Sequence, residues 1–418
     1  MNVGIVGLGK LGLPVAVALS SKHHVIGYDV FPELMSRRVY PHKELGPHLD
    51  NDFQKHFDEA DISFMPLKDL VEQCDMIFVA VQTPHQPQFE GTTRIPVERA
   101  DFDYTHLISA VDNISRHIKP HQVVVVISTV LPGTLRKHVV PLLDGKAKLV
   151  YNPFFIAMGT VMSDFIRPEF VLLGSDDGDA LRKVADFYHE YYDYWHNGFG
   201  AEAAPIVSMS IESAELTKVA YNTFISTKIA YANTLMEICH KIPNCNVDDI
   251  VRALSKGTDR LLSTKYLSGG MGDGGGCHPR DNIAMSWLAG KLDLSHNMFD
   301  DMMMAREHQT EWLVELLMSH DLPKVILGKS FKPETNIVTG SPAILCANML
   351  SERNVPFTIW DPHVDKTEFK VEIPSVILIG TKHQCFTTMD FPFGSIIIDP
   401  HRYIPKRAGI HVVHLGIS

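Results

Sequence analysis

The sequence predicts an α/β fold in which two doubly wound units are joined by a long helix. Three observations carry that expectation. Short apolar runs dense in Val and Ile alternate with amphipathic stretches over residues 1–205, and the same alternation returns from about Pro323. Between them, from about Ser210 to Lys241, Leu216, Val219, Ala220, Phe224, Ile225 and Ile229 keep helical spacing for many turns. Finally, Gly7-Leu8-Gly9-Lys10-Leu11-Gly12 directly follows the first apolar run. At 418 residues the chain exceeds one ordinary domain. The expected division is 1–205, 206–305 and 306–418.

In the first region the candidate strands are Asn2–Val6, Val25–Tyr28, Met76–Val81, Val123–Ile127, Lys148–Tyr151 and Phe170–Leu173. Their unbroken apolar character, flanked by Gly, Pro or Asp, is that of parallel strands buried on both faces. A helix as long as the central one bridges domains or forms a dimer interface. The last region offers Val325–Leu327, Phe357–Trp360, Val376–Ile379 and Ser395–Ile398 as the strands of a second, smaller unit.

Composition narrows the function classes. Hydrophobic residues make up 45% and charged residues 21%, which excludes wholesale disorder. A net charge of −11 argues against general nucleic-acid binding. The six cysteines lack CxxC spacing and the 22 histidines are dispersed, so no metal site is expected and a reducing cytoplasm is the simplest setting. The opening apolar run reads as a strand rather than a secretory signal, and no apolar run is long enough to span a bilayer.

The glycine run sits after a strand and before an amphipathic segment, where a dinucleotide fingerprint works. Gly7 permits a tight turn, Gly9 lets the backbone approach a pyrophosphate, and Gly12 allows close helix–strand packing. Lys10 stands beside the phosphates. The second strand ends at Asp29, about twenty residues on, where a carboxylate accepts ribose hydroxyls. Neither Val30 nor Phe31 offers a cation for a 2′-phosphate, so NAD is the expected cofactor.

A second constellation lies at Gly274-Gly275-Gly276-Cys277-His278-Pro279-Arg280-Asp281. It places a thiol on a glycine-rich turn, with a base and a carboxylate close behind. A thiol nucleophile and a hydride acceptor on one polypeptide suit oxidation of an alcohol past the aldehyde, because a thiohemiacetal can give up a second hydride and leave a thioester.

Three more segments complete the pattern: Ser128-Thr129 with Pro132-Gly133-Thr134, Glu215 to Asn222, and Phe331-Lys332-Pro333-Glu334-Thr335. Lys218 and Asn222 lie one helical turn apart on one face. With the fingerprint, Thr83-Pro84 and the cysteine segment, these runs resemble, over essentially the whole chain, the UDP-glucose/GDP-mannose dehydrogenase family. The resemblance implies an N-terminal Rossmann NAD domain, a central helical domain that makes a homodimer, and a C-terminal Rossmann-like domain for the nucleotide sugar. It also implies oxidation of a sugar C6 alcohol to the acid with two NAD reduced, UDP-glucose being the default substrate.

Carried over by position, Cys277 is the nucleophile, Lys218 the oxyanion-stabilising cation, Asn222 its hydrogen-bonding partner and Asp281 the carboxylate of the same site. Thr129 holds the catalytic water. Thr83, Pro84, Ser128 and Thr129 join Leu8, Leu11 and the rest of the fingerprint around the cofactor. Phe154, Phe155, Ile156, Gly274, Gly275 and Lys332 face the substrate.

Departures from the family lie in three places. In Asn152-Pro153-Phe154-Phe155-Ile156-Ala157-Met158-Gly159, Phe154 and Met158 occupy positions where the family carries glutamates. Asp273 and His278 replace aromatic residues, and His278 or Asp273 is a candidate for the missing base. After Thr335 the run is Asn336-Ile337-Val338-Thr339, without the family's arginine. These changes raise two alternatives: the same chemistry on GDP-mannose or a UDP-N-acetylhexosamine, or an oxidation that stops after two electrons. Two further readings are a two-electron β-hydroxyacid dehydrogenase, which needs no Cys277, and a nucleotide-sugar sensor without chemistry.

Overall fold

The computed structural model describes all residues but 43, 45–52, 85–99, 158, 200–203, 264–268, 273–277 and 418. The chain folds as two compact units, Met1–Ser226 and Thr227–Ser418, and the division falls inside the helix Ile211–Lys241.

Among the described residues, the first unit is built on an eight-stranded sheet. Its strands are β1 (Asn2–Val6), β2 (His24–Tyr28), β3 (Ile62–Phe64), β4 (Met76–Val79), β5 (Val123–Val126), β6 (Lys148–Tyr151), β7 (Val171–Gly174) and β8 (Ile206–Met209). Their order is β3-β2-β1-β4-β5-β6-β7-β8, and the six from β3 to β6 are parallel. Alternate residues feed two cores. Val123 and Val125 join Phe78 and the helices Gly12–Ser20 and Gly178–Phe199 on one face, whereas Val124 and Val126 join Ile77 and the helix Thr105–Ser115 on the other. Burial on both faces is what makes these runs uniformly apolar. The chain leaves β1 toward β2 on one side and returns as β4 on the other. The crevice at the carboxyl ends of β1 and β4 is therefore a topological switch point, the usual ligand position in such sheets.

One expectation needs correction. The strand expected at Phe170–Leu173 is not a further parallel member: β7 meets β6 antiparallel, through Tyr151 and Gly174, and β8 then runs parallel to β7. The reversal follows from the connection, which spends its residues on the loop at 152–160 and the short helix Val161–Ile166 instead of a crossover back across the sheet.

The second unit opens with helices, including Val247–Leu254, His278–Lys291 and Met298–Met318, and continues into a five-stranded parallel sheet. Its strands are β9 (Lys324–Leu327), β10 (Phe357–Trp360), β11 (Val376–Ile379), β12 (Ile396–Asp399) and β13 (His411–His414), ordered β10-β9-β11-β12-β13. Leu313, Val314 and Leu317 of the preceding helix pack on Ile326, Val376 and Leu378 of this sheet. The fold is thus α/β, with parallel sheets toward both ends of the chain and helices between.

The long helix inverts the usual amphipathic logic. Its first turns bury Ile211, Ala214, Glu215 and Lys218, while Leu216 is 55% and Phe224 53% exposed. Leu216 and Phe224, two members of the apolar spacing seen in the sequence, thus lie on the face turned away from the sheet.

Candidate active site

The glycine fingerprint is explained by its surroundings. Gly7 stands at φ 100°, and a Cβ there would lie 2.7 Å from the Ala80 carbonyl oxygen. A Cβ on Gly12 would meet the Gly7 carbonyl oxygen at 1.8 Å, so the helix Gly12–Ser20 can start this close to the strand only with glycine. Gly9, by contrast, has open space around its would-be Cβ. That opening gives a pyrophosphate room against the backbone, and the residues present fit a bound dinucleotide.

Asp29 reaches the same loop from the end of β2. It is buried, its Oδ2 accepts the Leu8 amide at 2.7 Å, and its Oδ1 accepts the Phe31 amide at 3.0 Å. Leu8 itself is fully buried, so its side chain serves the core and its amide holds Asp29 in place. A cavity of about 470 Å³ opens between Gly7, Gly9 and Asp29 on one wall and Asn113, Arg116 and His117 on the other. Its size and the carboxylate suit an adenosine.

Across the glycine loop lies a second cavity of about 380 Å³. Gly9, Lys10 and Leu11 form one wall, and Thr83, Pro84, Ser128 and Thr129 come from the ends of β4 and β5. Phe154, Ile156 and Lys218 close it. Segments up to two hundred residues apart in the chain thus meet at one place, and all belong to the first unit. The two strand ends are laced together: Thr83 Oγ1 donates to the Thr129 carbonyl at 2.7 Å, and Ser128 Oγ donates to the Val81 carbonyl at 2.7 Å.

Lys218 is the best-defined polar group of this cavity. It is 8% exposed, and its Nζ donates to the Phe154 carbonyl at 2.7 Å while lying 4.9 Å from the centre of the Phe155 ring. Burial lowers its pKa from the usual lysine value. The loop that carries Phe154 therefore engages the lysine through its backbone. Phe154 turns its ring to Phe165, 5.3 Å away, and Phe155 packs at a tilt against Phe170 and Tyr221. Phe154 and Phe155 thus knit the loop to its own unit.

A residue given no role in the sequence reading supports the lysine's surroundings. Glu215 is fully buried one turn before Lys218, and its carboxylate accepts the amides of Gly133 at 2.5 Å and Leu135 at 2.8 Å. Burial raises its pKa, with the two amides pulling the other way. Glu215 thereby fixes the turn that follows Thr129, where Gly133 adopts φ 87°.

The remaining expected residues do not line this cavity among the described residues. Asn222 lies on the helix one turn beyond Lys218 and is exposed. Gly274, Gly275 and Cys277 lie outside the described residues, as do Asp273 and Met158. His278 and Asp281 stand in the first turn of the helix His278–Lys291, and only their backbone is described. Lys332 is exposed on the loop after β9, in the second unit. Among the described residues no helix is long and apolar enough to cross a membrane.

Comparison with known proteins agrees with this geometry. The profile of the UDP-glucose/GDP-mannose dehydrogenase family, NAD binding domain, matches residues 1–192, and that of the family's central domain matches residues 212–307. A UDP-glucose 6-dehydrogenase of Bacillus subtilis is 26% identical over 379 residues, covering 87% of this chain and 80% of its own. A GDP-mannose 6-dehydrogenase of Pseudomonas aeruginosa is 28% identical over 382 residues, covering 87% and 82%. In fold, the chain is similar to the ternary complex of GDP-mannose dehydrogenase from Pseudomonas aeruginosa, with a TM-score of 0.82, 24% identity and 99% of each chain covered. With the fingerprint, the Asp29 carboxylate and the Lys218 cavity in place, the chain belongs to the UDP-glucose/GDP-mannose dehydrogenase family, whose cofactor is NAD.

Proposed function

We propose that this protein oxidises the C6 alcohol of a nucleotide sugar to the carboxylate in two steps at one site, with UDP-glucose the default substrate. The observation that carries the reading is the meeting of the glycine loop, Thr129 and the buried Lys218 around one cavity. NAD, when bound along the two cavities, supplies the hydride acceptor for each step. Lys218 holds its ammonium where an alkoxide develops on C6, and a buried cation stabilises that charge far better than water does. Thr129 holds water beside it. Cys277 adds its sulfur to the C6 aldehyde, carries the acyl group as a thioester after the second oxidation, and is released as thiol when water forms the acid. Asn222 and Asp281 complete the polar wall, His278 acts as base in place of the glutamates, and Lys332 contacts the nucleotide sugar.

A three-part organisation goes with this reading: residues 1–205 for NAD, 206–305 for the helical centre and 306–418 for the nucleotide. A specific observation keeps a second outcome in view, because Phe154 and Met158 leave the loop without its family carboxylates. The test is NADH formed per sugar consumed, with UDP-glucose and GDP-mannose in parallel. Two per sugar, lost in Cys277→Ser, supports the four-electron reaction. One per sugar, with an aldehyde or acyl-enzyme recovered, means that losing the carboxylates shortened it. Activity unaffected by Cys277→Ser would sink the thioester route.

A further inference from the structure

The carboxyl ends of β10, β9 and β11 lie side by side in the second unit, and each delivers one group to a single cluster. Glu334 comes from the loop after β9, His363 from that after β10 and His383 from that after β11. His363 Nε2 lies 3.0 Å from Glu334 Oε2, and His383 Nδ1 lies 3.7 Å from Glu334 Oε1. One ligand-type atom from each residue falls within 4.8 Å of the others. Ligands about 2.0–2.1 Å from a tetrahedral ion stand about 3.3 Å apart, so this cluster stands near coordination spacing.

A second observation distinguishes it from a chance surface grouping. His383 is fully buried, with Nε2 3.1 Å from Asp361 Oδ2 and 3.1 Å from Ser330 Oγ. Asp361, also fully buried, accepts the amides of Lys329 at 2.7 Å and Ser330 at 2.9 Å on that same oxygen. A carboxylate so placed fixes the proton on Nε2 and turns the lone pair of Nδ1 toward Glu334. This carboxylate–imidazole pairing is what orients and strengthens a histidine ligand in metal sites. The Nδ1 lone pair now accepts the Glu334 amide at 3.0 Å, and an entering ion takes the place of that bond. Glu334 is also the part of the cluster with a backbone to relax, since it stands at φ 56°, in the left-handed region.

We infer that Glu334, His363 and His383 form a binding site for a zinc-class divalent transition ion, with Asp361 as the outer partner of His383. Two imidazoles and one carboxylate match that class, and a three-residue set leaves a fourth position for water or a phosphate oxygen. The ion would clamp the loop that carries Lys332 to the loops after β10 and β11. The inference stands apart from the oxidation chemistry of the first unit.

The test uses the full chain as Cys277→Ser, so that no thiolate at position 277 competes, stripped with chelator and titrated with Co²⁺ and Zn²⁺. Expected is one ion per chain, with the visible absorption of four- or five-coordinate cobalt and calorimetric Zn²⁺ binding of the same stoichiometry. His363→Ala and Glu334→Gln change exposed groups and should fold normally; each should weaken binding at least about tenfold. No visible cobalt spectrum, or binding unchanged in both variants, would overturn the assignment.

Discussion

Lys218 illustrates how much a single side chain depends on its placement. A lysine kept buried yet hydrogen-bonded to one carbonyl, with an aromatic ring beneath its charge, is oriented before any substrate arrives. On the proposed mechanism Lys218→Ala removes an oxyanion donor, and turnover should then fall by about 10²–10³-fold. NAD affinity should change little, because Asp29 and the glycine loop are untouched; dissociation constants measured by fluorescence alongside initial rates separate the two effects. If NAD binding collapsed as well, Lys218 would be a structural support of the cofactor site. At this scale the sequence was legible where a motif dictates geometry: Gly7, Gly12 and Asp29 stand where the fingerprint requires. Glu215 was not, because its importance lies in the amides of Gly133 and Leu135, some eighty residues away in the chain.

At the scale of elements, the strands overlooked in the sequence share a cause. Ile62–Phe64, Ile206–Met209 and His411–His414 are all edge strands, half in contact with solvent and correspondingly polar, whereas the runs found were mostly central and buried on both faces. Of the edges, Phe357–Trp360 alone was found, since its aromatic and β-branched residues announce a strand without full burial. Two helix starts yield predictions. Glu215→Ala leaves the part-buried Gly133 amide and the buried Leu135 amide at the start of the helix Thr134–His138 without an acceptor, and should cost about 1–3 kcal/mol in urea unfolding, with Glu215→Gln intermediate. At the head of the helix Gly178–Phe199, Asp177 Oδ1 accepts the amides of Ala180 at 3.0 Å and Asp179 at 2.8 Å. The Ala180 amide is the largest influence on this carboxyl and lowers its pKa. A carboxylate with a depressed folded pKa contributes stability above its unfolded value, about 3.9, and loses it as pH falls through the folded one. Asp177→Ala should therefore cost about 1 kcal/mol at pH 7 and less once the carboxyl is protonated. A cost independent of pH would show that the cap acts through packing instead.

For the whole molecule, the unresolved demand is the outer face of the long helix. At 31 residues it runs about 46 Å. Leu216, Ala220 and Phe224 fall within about 80° of one another around its axis, opposite the face that buries Glu215 and Lys218. Leu216, Phe224 and Tyr231 are exposed large apolar side chains in the single chain. A stripe of this kind is costly in water, and a second copy of the same helix, related by a two-fold axis, would present a matching stripe to cover it. The homodimer expected from the family resemblance thus has a physical motive in this chain. Phe224→Glu sets a charge in the middle of the stripe and leaves the buried face intact, so it should convert a particle of twice the chain mass into one of single mass by light scattering at micromolar concentration. Its far-ultraviolet circular dichroism should be unchanged, because the substitution touches neither sheet. If the wild-type chain already runs as a monomer, the stripe meets some other surface. If Phe224→Glu stays dimeric, the contact lies elsewhere on the chain.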